Sequence, residues 1–419
     1  DWMKEHPYDV GEGWGRVPWS QEEMPLEDSV VADAAANNDI AIVVVGRTAG
    51  EDQDNTPDPG SYLLTDTERD MIAKVSSKFA RTAVLLNVGN IIDMKWVKEC
   101  NPSAVMYVWQ GGQEGGHGVC DALTGRVNPC GKLTDTIAYD IRDYPSTENF
   151  GDERKNYYKE DIYVGYRYFE SFAKDKVLYP FGFGLSYTAF EIASAITDVT
   201  ENAITVEAVV KNTGDTAGKE VVEIYVEAPQ GMLGKPSRVL AGFAKTQVIA
   251  PGEEEKVTIV IPKKAYASYD DSGVTGHKDS FLLEAGSYKI YAGADVRSAA
   301  LAGSYEQELQ VIEQLEEACA PSEQFERMTR DADGTLVYKK IPAREFGPYD
   351  RIEKPEEIAY TGDKGYKLAD VYNKKITMDE FIAQLSDEQL IMLFHAEGMC
   401  SPKVTAGTAC AFGGLAEEL

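Results

Sequence analysis

Three short apolar runs mark the first part of the chain, Ile40 to Gly46, Thr82 to Gly89 and Ala104 to Trp109, each rich in Val, Ile or Leu. Runs of this length predict buried strands of a parallel sheet, covered on both faces. Between the first two, Thr65 and Glu68 stand at capping-box spacing, and Met71, Ile72, Val75 and Phe79 follow along one helical face. A right-handed βαβ crossover is the expected result. After the third run Gly111 and Gly112 permit a tight turn, and Glu114 to Leu123 supplies the next helix. Met94, Trp96 and Val97 read as a buried helix face. Residues 1–190 are therefore expected to form part of an α/β layer.

From about residue 200 the pattern changes to alternating strands: Ile204 to Lys211, Glu220 to Ala228, Val239 to Ile249, Glu255 to Ile261 and Ser287 to Ala292. Turns are marked by Asn212, Thr213 and Gly214 and by Pro251 with Gly252, at a spacing that predicts an immunoglobulin-like or fibronectin-like β-sandwich over residues 191–314. Residues 315–375 are polar, with Pro321, Pro342, Pro348 and Pro355 breaking any long helix, and read as an extended linker. Helical periodicity returns from Met378 to Phe394 through Phe381, Leu385, Leu390 and Leu393, with Ser386 and Gln389 as a second capping box. A helix pair cannot bury a core alone, so residues 376–419 read as the beginning of a further domain.

Composition narrows the function. The formal charge of −29, from 70 acidic and 41 basic residues, repels nucleic acid and anionic lipid surfaces. No run reaches the roughly 20 apolar residues of a membrane span. Neutral substrates suit such a chain. Cys100, Cys120, Cys130, Cys319, Cys400 and Cys410 are irregularly spaced and the chain has only 4 histidines, so no metal site or cofactor is expected. The cysteines read as reduced, mostly buried thiols of a cytoplasmic protein.

The first strand ends in Gly46, Arg47, Thr48, Ala49, Gly50, Glu51, Asp52, Gln53 and Asp54, at the carboxyl edge where open α/β sheets bind ligands. Three carboxylates and no Lys-Ser/Thr pair exclude a phosphate cradle. From the residues alone the loop reads first as a solvated or cation-binding turn. The alternative is a general acid, because crowded carboxylates under a sugar keep one of their number protonated.

Gly46-Arg47 to Gly50-Glu51 is followed by Val108-Trp109-Gln110-Gly111-Gly112-Gln113-Glu114-Gly115-Gly116, and in that order the two resemble the acid/base loop and the Trp-Gln-x-Gly-x-Glu-x-Gly stretch in the C-terminal half of glycoside hydrolase family 3, the β-glucosidase family. Asn128-Pro129-Cys130-Gly131-Lys132-Leu133 matches Asn-Pro-Ser-Gly-Lys-Leu with Cys130 for Ser. Asp161-Ile162-Tyr163-Val164-Gly165-Tyr166-Arg167-Tyr168-Phe169 and Pro180-Phe181-Gly182-Phe183-Gly184-Leu185-Ser186-Tyr187 match two further signatures. The resemblance covers roughly residues 30 to 312. The loop departs from the family's Gly-Glu-Gly-x-Asp-Arg pattern at Asp52 and Asn55.

The resemblance implies a multidomain α/β plus all-β protein: part of an (α/β)6 sandwich domain, a fibronectin III-like β-sandwich and, after the linker, the start of a (β/α)8 barrel. That order reverses the family's usual one. It further implies a retaining β-glucosidase acting on terminal β-D-glucosyl residues of β-glucosides or short β-gluco-oligosaccharides, with Glu51 as general acid/base. The nucleophilic aspartate is expected on a barrel outside this chain, since its Ser-Asp-Trp context is absent from the 419 residues. The partners implied are the sugar and the remainder of the same bacterial enzyme, including upstream α/β polypeptide, as separate chains or otherwise. Homo-oligomerisation is left open. The alternatives are a β-xylosidase or other exo-glycosidase of the family, or a non-catalytic sugar-binding or scaffold protein. Trp109 reads as core rather than sugar contact, Glu114 as a helix N-terminus, and His117 as structural. Tyr157, Tyr158, Tyr163, Tyr166, Tyr168 and Phe169 read as domain packing rather than a sugar platform.

Overall fold

Helices α1 (Trp2–Glu5) and α2 (Asp28–Asn37) precede strand β1 (Ile40–Gly46). The computed structural model describes residues 2–13, 15–48, 53–152, 154–317, 319–344 and 356–394. Glu51, Asp52, Cys400 and Cys410 lie outside the described residues. The chain divides into Asp1–Glu345 and Phe346–Leu419.

In the first unit β1 pairs in parallel with β2 (Arg81–Asn87) through α3 (Asp66–Lys78), from Ile40 opposite Arg81 to Gly46 opposite Asn87. After α4 (Trp96–Cys100), strand β3 (Ala104–Tyr107) joins β2 in parallel, giving the order β1-β2-β3. The expected capping box closes α3: Glu68 N donates to Thr65 Oγ1 at 3.1 Å and Thr65 N to Glu68 Oε2 at 2.8 Å. Ile72 and Val75 of α3 and Val31 of α2 pack with Val43, Val45, Val84 and Leu86, and Met94 and Trp96 join them.

The expectation of strands covered on both faces fails at β1. Ala41, Val43 and Val45 are buried, whereas Ile40, Ile42 and Val44 on the opposite face are 51%, 54% and 53% exposed. Helices α2 and α3 pack on one side, and among the described residues nothing covers β1 on the other. Helix α5 (Gly115–Leu123), which follows β3, likewise has no buried residue. The short pair β4 (Ile137–Ala138) and β5 (Val177–Tyr179), with α6 (Tyr166–Phe172) between them, ends the layer.

Beyond it lie β6 (Phe190–Val199), β7 (Ala203–Asn212), β8 (Val221–Glu227), β9 (Val239–Lys245) and β10 (Glu254–Pro262). They continue through β11 (Ser268–Asp270), β12 (Ser280–Leu283), β13 (Gly286–Gly293), β14 (Ala300–Gln307) and β15 (Gln310–Gln314). Sheets ordered β10-β7-β6 and β14-β13-β8-β9 face each other over Ile204, Val206, Val222, Ile224, Ile259, Ile261 and Ile290, the expected sandwich. A third sheet, β11-β12-β15, was not expected.

Two motifs form the seam between layer and sandwich. Leu133 N donates to Phe183 O and Gly182 N to Leu133 O, both at 2.8 Å, so the Gly-Lys-Leu and Phe-Gly-Phe-Gly segments pair with each other. Lys132 then reaches Glu220 of the sandwich at 2.8 Å. Tyr166 packs on Phe181 and Tyr225, and its hydroxyl accepts the Leu240 N–H at 2.8 Å. The packing between domains expected of the aromatic cluster holds for Tyr166; Phe169 is buried within the layer's own cluster, Tyr163 is buried against Phe172, and Tyr158 is exposed.

The extended linker expected at 315–375 contains a hairpin, β16 (Glu326–Arg330) with β17 (Leu336–Lys340), in the first unit. Met328 is buried and its N–H donates to Lys159 O at 2.6 Å, while Arg327 meets Asp161 at 3.2 Å and Asp271 at 2.9 Å. The charged residues that made the segment read as linker are the ones that fasten it. In the second unit α7 (Leu368–Tyr372) precedes the expected helix pair, α8 (Met378–Ile382) and α9 (Asp387–Phe394). A box at Thr377 and Glu380 starts α8, and the expected one at Ser386 and Gln389 is formed. Phe381 and Leu385 are buried. Among the described residues no helix is long and apolar enough to cross a membrane.

Candidate active site

The three parallel strands end together, and the loop that leaves β1 is anchored by a residue whose sequence position alone says little. Arg47 is buried, and all five of its guanidinium N–H groups find acceptors. Nε donates to Ser61 O at 3.0 Å, and Nη1 to Gly46 O at 2.8 Å and Glu68 Oε1 at 2.6 Å. Nη2 donates to Leu63 O at 3.2 Å and Glu68 Oε2 at 2.9 Å. One carboxylate thus serves both the cap of α3 and the root of the loop, and one guanidinium fixes the course of residues 61–63 against β1.

The neighbouring strand ends close on the same point. Arg47 N donates to Asn87 O at 3.1 Å, extending the β1–β2 ladder by one residue, and Gln110 Nε2 donates to Arg47 O at 3.3 Å. A side chain at Gly89 would come within 3.1 Å of Gln110 Oε1, so the glycine admits that amide. Trp109, just past β3, has φ +54°, is half-buried and lies against Tyr107 with ring centroids 4.9 Å apart. It is a strand-end residue held in the left-handed region, not the core residue expected. Such conformations cost energy and gather at functional sites.

Both flanks of the acidic stretch are fixed to the segment before the sheet. Thr48 N donates to Trp19 O at 2.8 Å, and Gln53 Nε2 donates to Gly15 O and to Val17 O, each at 2.8 Å. Asn55, where the family pattern has Arg, accepts a hydrogen bond from Ser61 Oγ at 3.0 Å and belongs to the turn. Asp54 is exposed. Of the expected site residues Glu51 and Asp52 fall outside the described residues, so the structure speaks of the loop's two ends only.

Glu114 is the N-cap residue of α5 but makes no side-chain cap; it pairs instead with His117 Nδ1 at 2.6 Å. Both side chains are open to solvent, 75% and 86% exposed, against the structural reading of His117. Cys100, Cys120, Cys130 and Cys319 are free thiols, and only Cys100 is buried, against the mostly buried reading. Among the described residues no three His, Cys, Asp or Glu side chains gather as a metal site requires. Sequence reasoning missed the second role of Glu68, the Gln53 fork and residues 15–19, because each depends on contacts between segments far apart in the chain.

Residues 21–187 match the glycosyl hydrolase family 3 C-terminal domain and residues 220–296 the fibronectin type III-like domain. The whole chain is 56% identical to a β-glucosidase of Ruminococcus albus, of which it covers 44%. Over 96% of its length it is 37% identical to β-glucosidase A of Butyrivibrio fibrisolvens, of which it covers 56%. A crystal structure of a β-glucosidase from Paenibacillus barengoltzii matches 99% of the chain at a TM-score of 0.90 and 49% identity, the match covering 47% of that protein. β-Glucosidase 3B of Thermotoga neapolitana, in complex with glucose, matches 74% of the chain at a TM-score of 0.66 and 36% identity, over 43% of its own chain. The chain spans about half the length of the relatives it matches.

Proposed function

Because the chain belongs to glycoside hydrolase family 3, we propose that it is part of a retaining β-glucosidase, in which Glu51 is the general acid/base. The observation that carries the reading is the loop root at the carboxyl end of β1. A residue that protonates a leaving oxygen must be held still, and Arg47, Thr48 and Gln53 are held by buried or intersegment hydrogen bonds on either side of Glu51. The similarity to proteins named β-glucosidases supports glucose as the sugar.

In the proposed reaction Glu51 donates its proton to the glycosidic oxygen as a carboxylate nucleophile attacks the anomeric carbon from the opposite face. The resulting glycosyl ester is hydrolysed by a water that Glu51, now ionised, deprotonates. The nucleophile belongs to polypeptide beyond these 419 residues. The uncovered face of β1 supports a complete enzyme with further polypeptide packed there. Terminal β-D-glucosyl residues of aryl glucosides or short oligosaccharides are the proposed substrates, and a bacterial cytoplasm the proposed setting.

The test is Glu51→Ala in the full-length enzyme. Turnover of an aryl β-glucoside should fall by about 10²- to 10⁴-fold, the usual worth of a general acid/base. Azide should restore part of it by attacking the glycosyl ester without base assistance. Undiminished turnover would remove Glu51 from the mechanism.

A further inference from the structure

Residues 9–13 and 15–21 form a folded brace on the flank of the sheet. Asp9 N donates to Gln21 Oε1 at 2.7 Å and Gln21 Nε2 returns to Asp9 O at 3.1 Å, closing the segment on itself. Inside it Gly11 has φ +70°, and a side chain there would lie 2.9 Å from Val17 N. Gly60, at φ +87°, leaves room for Ser20. The brace is therefore fixed both internally and against the turn at residue 60.

Among the described residues this brace takes hold of the loop that follows β1 at Thr48, through Trp19 O, and at Gln53, through Gly15 O and Val17 O. The two contacts differ in kind. The first uses backbone alone, which any residue at position 48 other than proline supplies. The second needs a side chain with two N–H donors on one nitrogen, since two carbonyl oxygens 2.8 Å away converge on it. Among the described residues, only that second contact of the brace depends on the identity of a side chain in the loop.

We propose that Gln53 is a positioning residue for the acid/base, fixing the downstream end of the loop that carries Glu51 by dividing its amide between the carbonyls of Gly15 and Val17. This rests on the reading of Glu51 given above. Displacing a catalytic group by about 1 Å costs on the order of 10²-fold, so the fork has enough leverage to matter. Gln53→Glu keeps the shape, removes both donors and sets an anionic oxygen against two carbonyls.

The experiment compares kcat/KM of the full-length enzyme for aryl β-glucosides with poor and with good leaving groups. A good leaving group departs without a proton, so misplacing the acid penalises only the poor one. For Gln53→Glu, kcat/KM for phenyl β-glucoside should fall about 10²-fold while that for 2,4-dinitrophenyl β-glucoside changes less than about threefold. With the dinitrophenyl substrate kcat and KM should fall together, because the ester accumulates when its hydrolysis lacks a base. Equal losses on both substrates, or no loss on either, overturn the proposal.

Glu51→Ala is run in parallel. If it shows the leaving-group dependence and Gln53→Glu does not, the positioning role alone fails; if neither shows it, the acid/base reading fails. On the chain itself, amide exchange of the peptide spanning residues 44–57 should rise in Gln53→Glu with the unfolding midpoint unchanged. Unchanged exchange there would also overturn the fork, whatever the activity of the enzyme.

Discussion

The guanidinium of Arg47 and the carboxylate of Glu68 meet fork on fork, at 2.6 and 2.9 Å, with 2% and 6% of their side chains exposed. Glu68 also takes the Thr65 N–H, so removing Arg47 leaves a buried carboxylate with one donor where it had three. Breaking one partner of such a pair costs about 3–5 kcal/mol, mostly the burial of the uncompensated charge. Arg47→Met should lower stability by that amount in urea unfolding, with little dependence on salt because the pair is shielded. Arg47→Lys should recover only part of it, since one ammonium cannot serve acceptors spread over Gly46, Ser61, Leu63 and Glu68. An Arg47→Met chain as stable as the parent would show that the fork is incidental.

The seam between layer and sandwich contains a carboxyl group sensitive to neutral pH. Burial raises Glu223 from its ordinary 4.5 to about 7, with Asp295 and Glu220 adding repulsion. The Tyr225 hydroxyl, which donates to it, and Lys132 oppose the rise. A raised folded value means that the native state binds the extra proton between about pH 4.5 and 7. Stability from this group is therefore highest below pH 4.5, falls as pH rises to about 7, and is level above. Gln cannot ionise, so the difference in stability between the parent and Glu223→Gln should shift by about 2 kcal/mol against the parent from pH 5 to pH 8. Denaturant midpoints of the two chains at both pH values check this, and a difference independent of pH would contradict it.

Legibility from sequence followed the range of the interactions. Helix α3 and its cap were readable because Thr65 and Glu68 are three residues apart and Ile72 and Val75 share a face. Strand β6 was missed because its inward positions, Phe190, Ile192, Ser194 and Ile196, are only half-buried and alternate with exposed residues that include Ala193 and Ala195. The hairpin at 326–340 was missed because its charges look like solvated linker until Asp161 and Asp271 are seen opposite Arg327. At the candidate site the loop was readable from its glycines and carboxylates, but its supports were not. Arg47 and Glu68 are 21 positions apart, and Glu68 already had a local explanation in the capping box.

Arg327 joins the hairpin to both neighbours, and its two partners, Asp161 and Asp271, repel each other without it. Arg327→Ala should cost about 1–2 kcal/mol, less than a buried pair because all three side chains are partly wetted. The loss should appear locally: faster proteolysis between residues 319 and 341, with the sandwich core unaffected. Met328→Ala, which empties a buried site, should give faster cutting at the same place. Cleavage rates that match the parent in both variants would mean that the hairpin is held by something other than these contacts.

Gly182 is where the seam leaves least room. Its φ is +82°, and a side chain would lie 2.8 Å from Asp295 Cα and closer still to Glu223 Oε2. The first obstacle is backbone and cannot move cheaply, whereas the second is the end of a side chain. Gly182→Ala should therefore destabilise by more than about 2 kcal/mol, from left-handed strain and steric displacement together. Glu223→Ala should relieve only part of that loss in the double variant, because Asp295 Cα and the strain remain. Contacting residues couple by about 0.5–3 kcal/mol, and the sign here is favourable: the double variant is more stable than the sum of the singles predicts. Strict additivity in a four-chain unfolding cycle would separate Gly182 from Glu223 and place the crowding on the Asp295 backbone alone.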